Sequence, residues 1–337
     1  MTAATSSSGI GFGIIGCGLI GQKRAKALGD GRLVACADVD AQRAAALAGG
    51  SGAQVFTNYR DLLALPQVNA VVVATLHDSL AEISLAALRA GKHLLVEKPA
   101  ARRAADLAPV IEAARETKLV VRVGFNHRYH RAFRKARELF DSGVLGAMMF
   151  VRARYGHGGR IGYDREWRAD PVRSGGGELI DQGPHLIDLA RWFLGDFTQV
   201  QGFAHTYYWD MPVDDNGFML LKTADHKVAF LHVSCTEWKN TFSMEIYGRN
   251  GKLEISGLGG SYGTEMLTLY KMLPQMGPPE TTTWEYPMAD DSWEAEVADF
   301  CDDIRLRRTP SVGLAEAHAA LTVVERIYQE SGHDHCA

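Results

Sequence analysis

The stretch Ile10-Gly11-Phe12-Gly13-Ile14-Ile15-Gly16-Cys17-Gly18-Leu19-Ile20-Gly21 decides how this chain reads. Residues 10–15 form an apolar run of strand length, and a helical pattern begins inside the G-x-G-x-x-G that follows at Gly16, Gly18 and Gly21. In that setting the first glycine makes a tight turn and the second lets backbone approach a pyrophosphate. The third lets the helix pack on the strand. The helix N-terminus adds unpaired N–H groups and positive potential. Gly16, Gly18, Leu19, Ile20 and Gly21 are therefore expected to hold the phosphates of a dinucleotide.

Outward from that turn, the first 125 residues alternate short β-rich runs with longer helical patterns. Strands are expected at 10–15, 33–37, 54–57, 70–75, 93–96 and 119–124, with helical stretches at 41–48, 80–90 and 101–117. Gly29 and Gly91 stand where helices stop in a left-handed residue. A run apolar throughout, such as Ala70-Val71-Val72-Val73-Ala74, belongs in a parallel sheet covered on both faces. Alternating βα units of this kind give a doubly wound Rossmann domain, assigned here to residues 9–127. The second strand ends at Asp38, 22 residues beyond Gly16. A carboxylate there accepts hydrogen bonds from the adenosine ribose hydroxyls and repels a 2′-phosphate, which favours NAD over NADP. The other reading of Asp38 is a helix N-cap, a role open also to Asp40.

Beyond residue 128 the rhythm changes. A helix at 132–141 leads to a strand at 147–155, a Gly- and Arg-rich stretch at 156–176 and an apolar helix at 178–194. Strand-like runs follow at 199–207, 217–223, 228–236, 242–248, 252–256 and 265–271, and helices at 293–308 and 314–330 close the chain. Residues 128–332 thus read as an α+β domain with a large, mainly antiparallel sheet, serving substrate binding and oligomerisation.

Composition narrows the function classes. The chain has 337 residues, 46% apolar and 23% charged, the profile of a soluble enzyme of about two domains. A net charge of −4 provides no field for nucleic acid, although residues 1–127 carry 14 Lys and Arg against 10 Asp and Glu. Five scattered cysteines without C-x-x-C signal neither disulfides nor a cysteine zinc site and suit a reducing cytoplasm. Residues 1–9 read as a loose tail, and no apolar run has the length of a membrane span. The ending His333-Asp334-His335-Cys336 reads as a frayed terminus rather than a metal site.

Two further places carry chemistry. Glu97-Lys98-Pro99 puts a lysine at the carboxyl end of the fifth strand, where open α/β sheets bind their ligands. In the apolar helix, Asp181 and His185 are four residues apart and share a face. A carboxylate one turn from an imidazole orients it and raises its basicity. Pro184, between them, should kink or distort the helix.

Together these residues resemble the Gfo/Idh/MocA family of NAD(P)-dependent oxidoreductases, whose members act on sugars, inositols and related polyols. The resemblance also takes in Gly124-Phe125-Asn126 with Arg128, Glu245-Ile246-Tyr247-Gly248 with Gly251, and Trp293-Glu294-Ala295-Glu296 with Phe300. It implies that Lys98, Asp181 and His185 are the catalytic trio and that Glu97 and Asn126 lie near the nicotinamide ribose. It also implies a homodimer or homotetramer. Where the family usually has Thr-Pro-Asn after the fourth strand, this chain has Thr75-Leu76-His77, and Leu80 replaces a frequent histidine. Thr75 and its backbone are still expected to line the cofactor. Tyr155, His157, Arg160, Tyr163, Trp167 and Arg168 supply aromatic faces and donors suited to a polyhydroxylated ring. A sugar or cyclitol dehydrogenase or ketoreductase is the expected function. A dinucleotide-binding sensor and an NAD-dependent redox glycosidase are the alternatives on the same fold.

Overall fold

The computed structural model describes residues 9–333. Most of the expected N-terminal tail, and Asp334, His335 and Cys336 of the expected frayed ending, lie outside these residues. The described chain forms two compact units. The first runs to Ala100 and includes Asp106–Gly124 and Trp293–Leu314; the second comprises Ala101–Ala105, Phe125–Ser292 and the residues from Ala315 onward.

The N-terminal elements are β1 (Gly11–Ile15), α1 (Leu19–Lys26), β2 (Arg32–Ala37), α2 (Ala41–Ala48), β3 (Gln54–Phe56), α3 (Tyr59–Leu63), β4 (Ala70–Val73), α4 (His77–Arg89), β5 (His93–Glu97), α5 (Ala108–Thr117) and β6 (Val121–Gly124). The strands make one six-stranded sheet in the order β3-β2-β1-β4-β5-β6, every pair parallel. All four residues of β4 are buried, as a strand covered on both faces requires. The order reverses between β1 and β4, the crevice where doubly wound sheets place their ligand. Two local expectations are corrected. The helix expected over 101–117 is a 3₁₀ turn, Ala104–Leu107, followed by α5, because Pro109 fits only the first turn of a helix. Helix α3, five residues long and capped by the Asn58 side chain on Arg60 N, was too short to register as a period.

The C-terminal elements are α6 (Arg131–Asp141), β7 (Met148–Gly156), α7 (Pro171–Ser174), α8 (Glu178–Leu194), β8 (Phe197–His205), β9 (Asn216–Thr223), β10 (Val228–Ser234), β11 (Thr241–Gly248), β12 (Gly251–Ser256), β13 (Glu265–Lys271), β14 (Glu280–Tyr286), α9 (Ser292–Leu306) and α10 (Leu314–Glu330). Strands β7–β14 form an eight-stranded sheet in the order β14-β13-β12-β11-β7-β10-β9-β8. It is antiparallel except for β7 and β10, which run parallel; the connection between them contains α8 and two other strands, long enough for a crossover. Edge strand β14 was missed from sequence because Glu280-Thr-Thr-Thr is exposed and shows no apolar alternation. Buried and part-exposed residues alternate along β11 and β12, and α8 packs across β7, β9 and β10. Helix α8 runs unbroken through Pro184, so the expected distortion does not divide it.

Within the first unit, Phe12, Ile14, Val72 and Leu95 share a core with Val297 and Phe300 of α9, each about 1.5–3 kcal/mol of hydrophobic stabilisation. Polar ties add to it: the fully buried Arg122 of β6 meets Asp299 at 2.8 Å and also Asp303.

Within the second unit, the start of α8 is held by Asp214. Its carboxylate, 0% exposed, accepts the N–H groups of Gly177 at 2.8 Å and Leu179 at 2.7 Å, and the Tyr328 hydroxyl at 2.7 Å. A Cβ on Gly177 would lie 1.9 Å from the Asp214 carbonyl oxygen, so only glycine permits the approach. Asp214→Ala leaves buried donors unpaired at roughly 1–3 kcal/mol each. The expected loss is about 3 kcal/mol, or a fall of about 5–10 °C in the thermal midpoint followed by circular dichroism. A midpoint unchanged from the wild type would show that Asp214 does not anchor this helix.

Candidate active site

The cofactor residues expected from sequence converge on the carboxyl edge of the six-stranded sheet: Gly16 follows β1, Asp38 follows β2, Thr75 lies two residues beyond β4, and Lys98 follows β5. The glycine turn fits a dinucleotide. Gly16 has φ +92°, and a Cβ there would stand 2.4 Å from the Ala74 carbonyl oxygen. A Cβ on Gly21 would stand 2.0 Å from the Gly16 carbonyl oxygen, whereas one on Gly18 would meet nothing within 4 Å. The turn is thus tight below and open above Gly18. Gly18 is also the N-cap of α1 and offers no side-chain acceptor to the first-turn amides, which leaves their potential for an anion.

Asp38 is clamped rather than loose. Its Oδ2 accepts the Cys17 N–H at 2.7 Å and its Oδ1 accepts the Asp40 N–H at 2.9 Å. The side-chain cap of α2 is Asp40, which accepts from Gln42 and Arg43. The cap is therefore Asp40 and not Asp38, and Asp38, part-buried beside the glycine turn, has acceptor capacity beyond these two bonds. Thr75 Oγ1 is 3.0 Å from Ser79 Oγ, and His77 opens α4 as a buried residue.

Glu97 has an additional partner that spacing did not reveal. Arg24, 0% exposed on α1, reaches Glu97 Oε1 at 2.6 Å through Nε and Glu296 Oε2 at 2.5 Å through Nη1. Burial pushes the Glu296 carboxyl above its ordinary range, with Arg24 opposing the shift. Gly124 makes room for the pair, since a Cβ there would come within 2.6 Å of the Arg24 guanidinium. The carboxylate expected near the nicotinamide ribose therefore also ties α1 to the Glu97-Lys98-Pro99 turn.

In the second unit, α8 carries Asp181 and His185 on one buried face. Asp181 Oδ2 accepts Arg168 Nε at 2.8 Å, and this carboxylate holds the Arg168 guanidinium firmly charged. Two residues that sequence reasoning passed over complete the surroundings. His127 stacks on His185 with ring centroids 3.7 Å apart and planes at 19°, while Phe125 and Tyr155 meet His185 edge-on at 6.0 and 6.4 Å. His127 stands inside the Gly124–Arg128 stretch quoted above, which was the available signal. Glu178, in the first turn of α8, accepts from the Tyr163 hydroxyl at 3.3 Å and lies 3.5 Å from His157 Nε2. Burial holds His157 below its ordinary pKa.

Of the other expected residues, Trp167 lies under the Arg168 guanidinium at 4.6 Å, and exposed Arg160 pairs with Glu166 at 2.6 Å. Asn126 donates to Ser292 Oγ at 2.9 Å and lies 3.3 Å from His127 Nδ1. The structure therefore gathers Tyr155, His157, Tyr163, Trp167, Arg168, Asp181 and His185 around the start of α8 and the end of β7.

Comparison with known proteins finds matches for both the N-terminal and the C-terminal part of the chain. Residues 10–125 match the oxidoreductase family with an NAD-binding Rossmann fold, and residues 133–254 match the GFO/IDH/MocA C-terminal domain. The inositol 2-dehydrogenase of Gluconacetobacter diazotrophicus is 35% identical over 201 residues; the match covers 57% of each chain, little more than half of that relative. The inositol 2-dehydrogenase of Rhizobium meliloti is 30% identical over 75% of each chain. A levoglucosan dehydrogenase solved with NADH shares the fold at TM-score 0.86 and 21% identity, over 96% of this chain and 97% of that one. From these matches, the chain belongs to the Gfo/Idh/MocA family of oxidoreductases.

Proposed function

We propose that this protein is a nicotinamide-dependent dehydrogenase or ketoreductase acting on a ring hydroxyl or ketone of a sugar, sugar derivative or cyclitol. The observation that carries this reading is Asp181 and His185, one turn apart on the buried face of α8 amid aromatic and polar side chains, in a chain that also places Lys98 after a Rossmann strand. The names of the relatives, inositol 2-dehydrogenases and levoglucosan dehydrogenase, support the substrate class. NAD would be held by Gly16, Gly18, Leu19, Ile20 and Gly21 at its phosphates, by Asp38 at the adenosine ribose, and by Thr75, Glu97, Lys98 and Asn126 towards the nicotinamide. When bound, it supplies the hydride acceptor at C4 of its ring.

The chain's own residues handle the proton and the charge. In the oxidative direction His185 removes the hydroxyl proton, and Lys98 donates a hydrogen bond to the reacting oxygen as alkoxide character develops. Asp181, itself steadied by Arg168, orients His185 or Lys98. Tyr155, His157, Tyr163, Trp167 and Arg168 hold the ring. Four buried free cysteines, Cys17, Cys36, Cys235 and Cys301, suit a reducing cytoplasm, and no helix among the described residues is long and apolar enough to cross a membrane.

Each role has its own test. A panel of sugars and inositols with NAD, followed by absorbance of the reduced nicotinamide, identifies the ring. On that substrate His185→Ala and Lys98→Ala should each lose about 10²–10⁴-fold in turnover. The double variant should lose far less than the product, since both serve one proton transfer. Near wild-type turnover in either single variant would refute the mechanism. If no polyol reacts and NAD instead switches affinity for a macromolecule, the sensor reading replaces it.

Cofactor preference rests on Asp38. NAD should bind more tightly than NADP, and Asp38→Ala should narrow the preference about tenfold or more, as expected for charged hydrogen bonds of roughly 1.5–3 kcal/mol. Wild-type protein binding NADP at least as tightly as NAD would overturn the assignment.

Self-association rests on the open face of the eight-stranded sheet. Phe203, Leu220 and Phe230 are exposed there, with Leu220 directly opposite Phe230 across β9 and β10. An apolar patch on a sheet face suits a second copy of the chain. Light scattering at micromolar concentration should give a dimer or tetramer, and Phe230→Asp should shift it towards monomer. A monomeric wild type would contradict the proposal.

A further inference from the structure

Next to the residues assigned to the reacting ring, the second unit presents aromatic side chains that the proposed reaction does not use. The turn between β8 and β9 carries Tyr207, Tyr208 and Trp209, and the turn after β10 carries Trp238. The first turn is held rigidly. Buried Asp215 accepts three successive backbone N–H groups, from Tyr207 at 2.9 Å, Tyr208 at 2.7 Å and Trp209 at 3.1 Å. Trp209 donates its indole N–H to the Cys235 carbonyl at 3.0 Å. Its ring lies so close to Gly159 that a Cβ there would come within 2.3 Å.

From this anchored tryptophan the rings run in two directions. Inward, Trp209 packs on Tyr163 at 5.6 Å, and Tyr163 donates to Glu178 in the first turn of α8. Outward, Tyr208 meets Trp209 at 5.2 Å and Trp238 at 4.6 Å, each nearly perpendicular. Tyr208 is 57% exposed and Trp238 66% exposed. Trp238 also adopts φ +56°, a left-handed conformation that bulky residues rarely take. Two large rings are thus held more than half exposed to water on a braced backbone.

A cavity of about 440 Å³ begins at the next residue and is lined by Lys239, Asn240, Thr241, Phe242, Ser261 and Tyr262. Tyr262 packs on Tyr155 at 5.1 Å, and Tyr155 is one of the rings around His185. The cavity therefore adjoins the surroundings of the proposed base. Its size is within the range of small-molecule sites. Hydroxyl, amide and ammonium groups beside exposed aromatic rings are the combination that recognises a pyranose: donors and acceptors for its hydroxyls, ring faces for its C–H surface.

We propose that Tyr208, Trp238 and the Lys239–Tyr262 cavity form an outer subsite for a second sugar ring, joined by a glycosidic bond to the ring being oxidised. The physiological substrate is then a glycoside or disaccharide rather than a free monosaccharide or inositol. This rests on the reading that the surroundings of His185 receive the reacting ring.

Maltose and cellobiose, each compared with glucose, are the probes. With NAD, at least one disaccharide should show a kcat/KM about tenfold or more above that of glucose. Trp238→Ala and Tyr208→Ala should each reduce this preference about tenfold, mainly through the disaccharide KM, and Trp238→Phe should restore most of it. Calorimetric titration of the full chain saturated with NADH gives a readout independent of turnover. Disaccharide should bind more tightly than glucose there, and the advantage should disappear in Trp238→Ala. Equal binding of disaccharide and glucose, or an advantage insensitive to both alanine variants, overturns the outer subsite even if glucose or an inositol is oxidised. Disaccharide binding that depends on Trp238 without turnover of any polyol instead refutes the proposed activity and leaves the subsite standing. If the variants alter the molar mass in light scattering, these rings belong to a contact between copies and the proposal fails.

Discussion

Arg24 is withdrawn completely from water, and much of the first unit is arranged to make that tolerable. An unpaired guanidinium in a protein interior costs several kcal/mol, and removing one partner of a buried pair typically costs 3–5 kcal/mol. Glu97 and Glu296 both meet this charge, one at the end of β5 and one on α9. Because Arg24 lies on the helix that begins at the glycine turn, this cluster links that turn to the Glu97-Lys98-Pro99 turn. The requirement is geometric as well as electrostatic. With any larger residue than glycine at 124, the guanidinium and the Glu97 carboxylate would have to shift.

The second unit obeys the same constraint with other groups. Arg128 is matched bidentately by Asp188, at 2.7 and 2.6 Å, and Arg168 donates through Nε to Asp181 at 2.8 Å. Asp214 is met by two backbone N–H groups and a tyrosine hydroxyl instead of a cation. These pairings immobilise α8, and with it the imidazole proposed as base. A side chain needs a second layer of contacts to hold its geometry to fractions of an ångström. His127, Arg168 and Asp214 provide that layer for His185, Asp181 and the helix that carries both.

Legibility from sequence differed among these features for identifiable reasons. The glycine turn, the buried strand 70–73 and helix α8 could be read directly, because each is a local pattern with a local cause. Asp38 was legible in place but not in role: only the hydrogen bonds of Asp40 to Gln42 and Arg43 separate the ribose candidate from the cap. Strand β14 and helix α3 escaped, one through an exposed polar face and the other through brevity. His127 was marked only by its place between Gly124 and Arg128, and Arg24 and Asp214 carry no local signal at all; the partners of the three are 58, 73 and 37 residues away in the chain.

The sequence by itself determined the alternation of strands and helices, the pyrophosphate-type turn, and the spacing that sets Asp181 and His185 on one helical face. All of these follow from the chain's near neighbours, through backbone sterics and the 3.6-residue period. Tertiary structure alone decided which buried charges meet, that α9 shares its core with Phe12 and Leu95, and that a second histidine lies flat against His185. The physical reason is the range of the forces involved. Propensity and periodicity act over a few residues, whereas desolvation of a charge is satisfied by whichever group packing brings within about 3 Å, however distant in sequence.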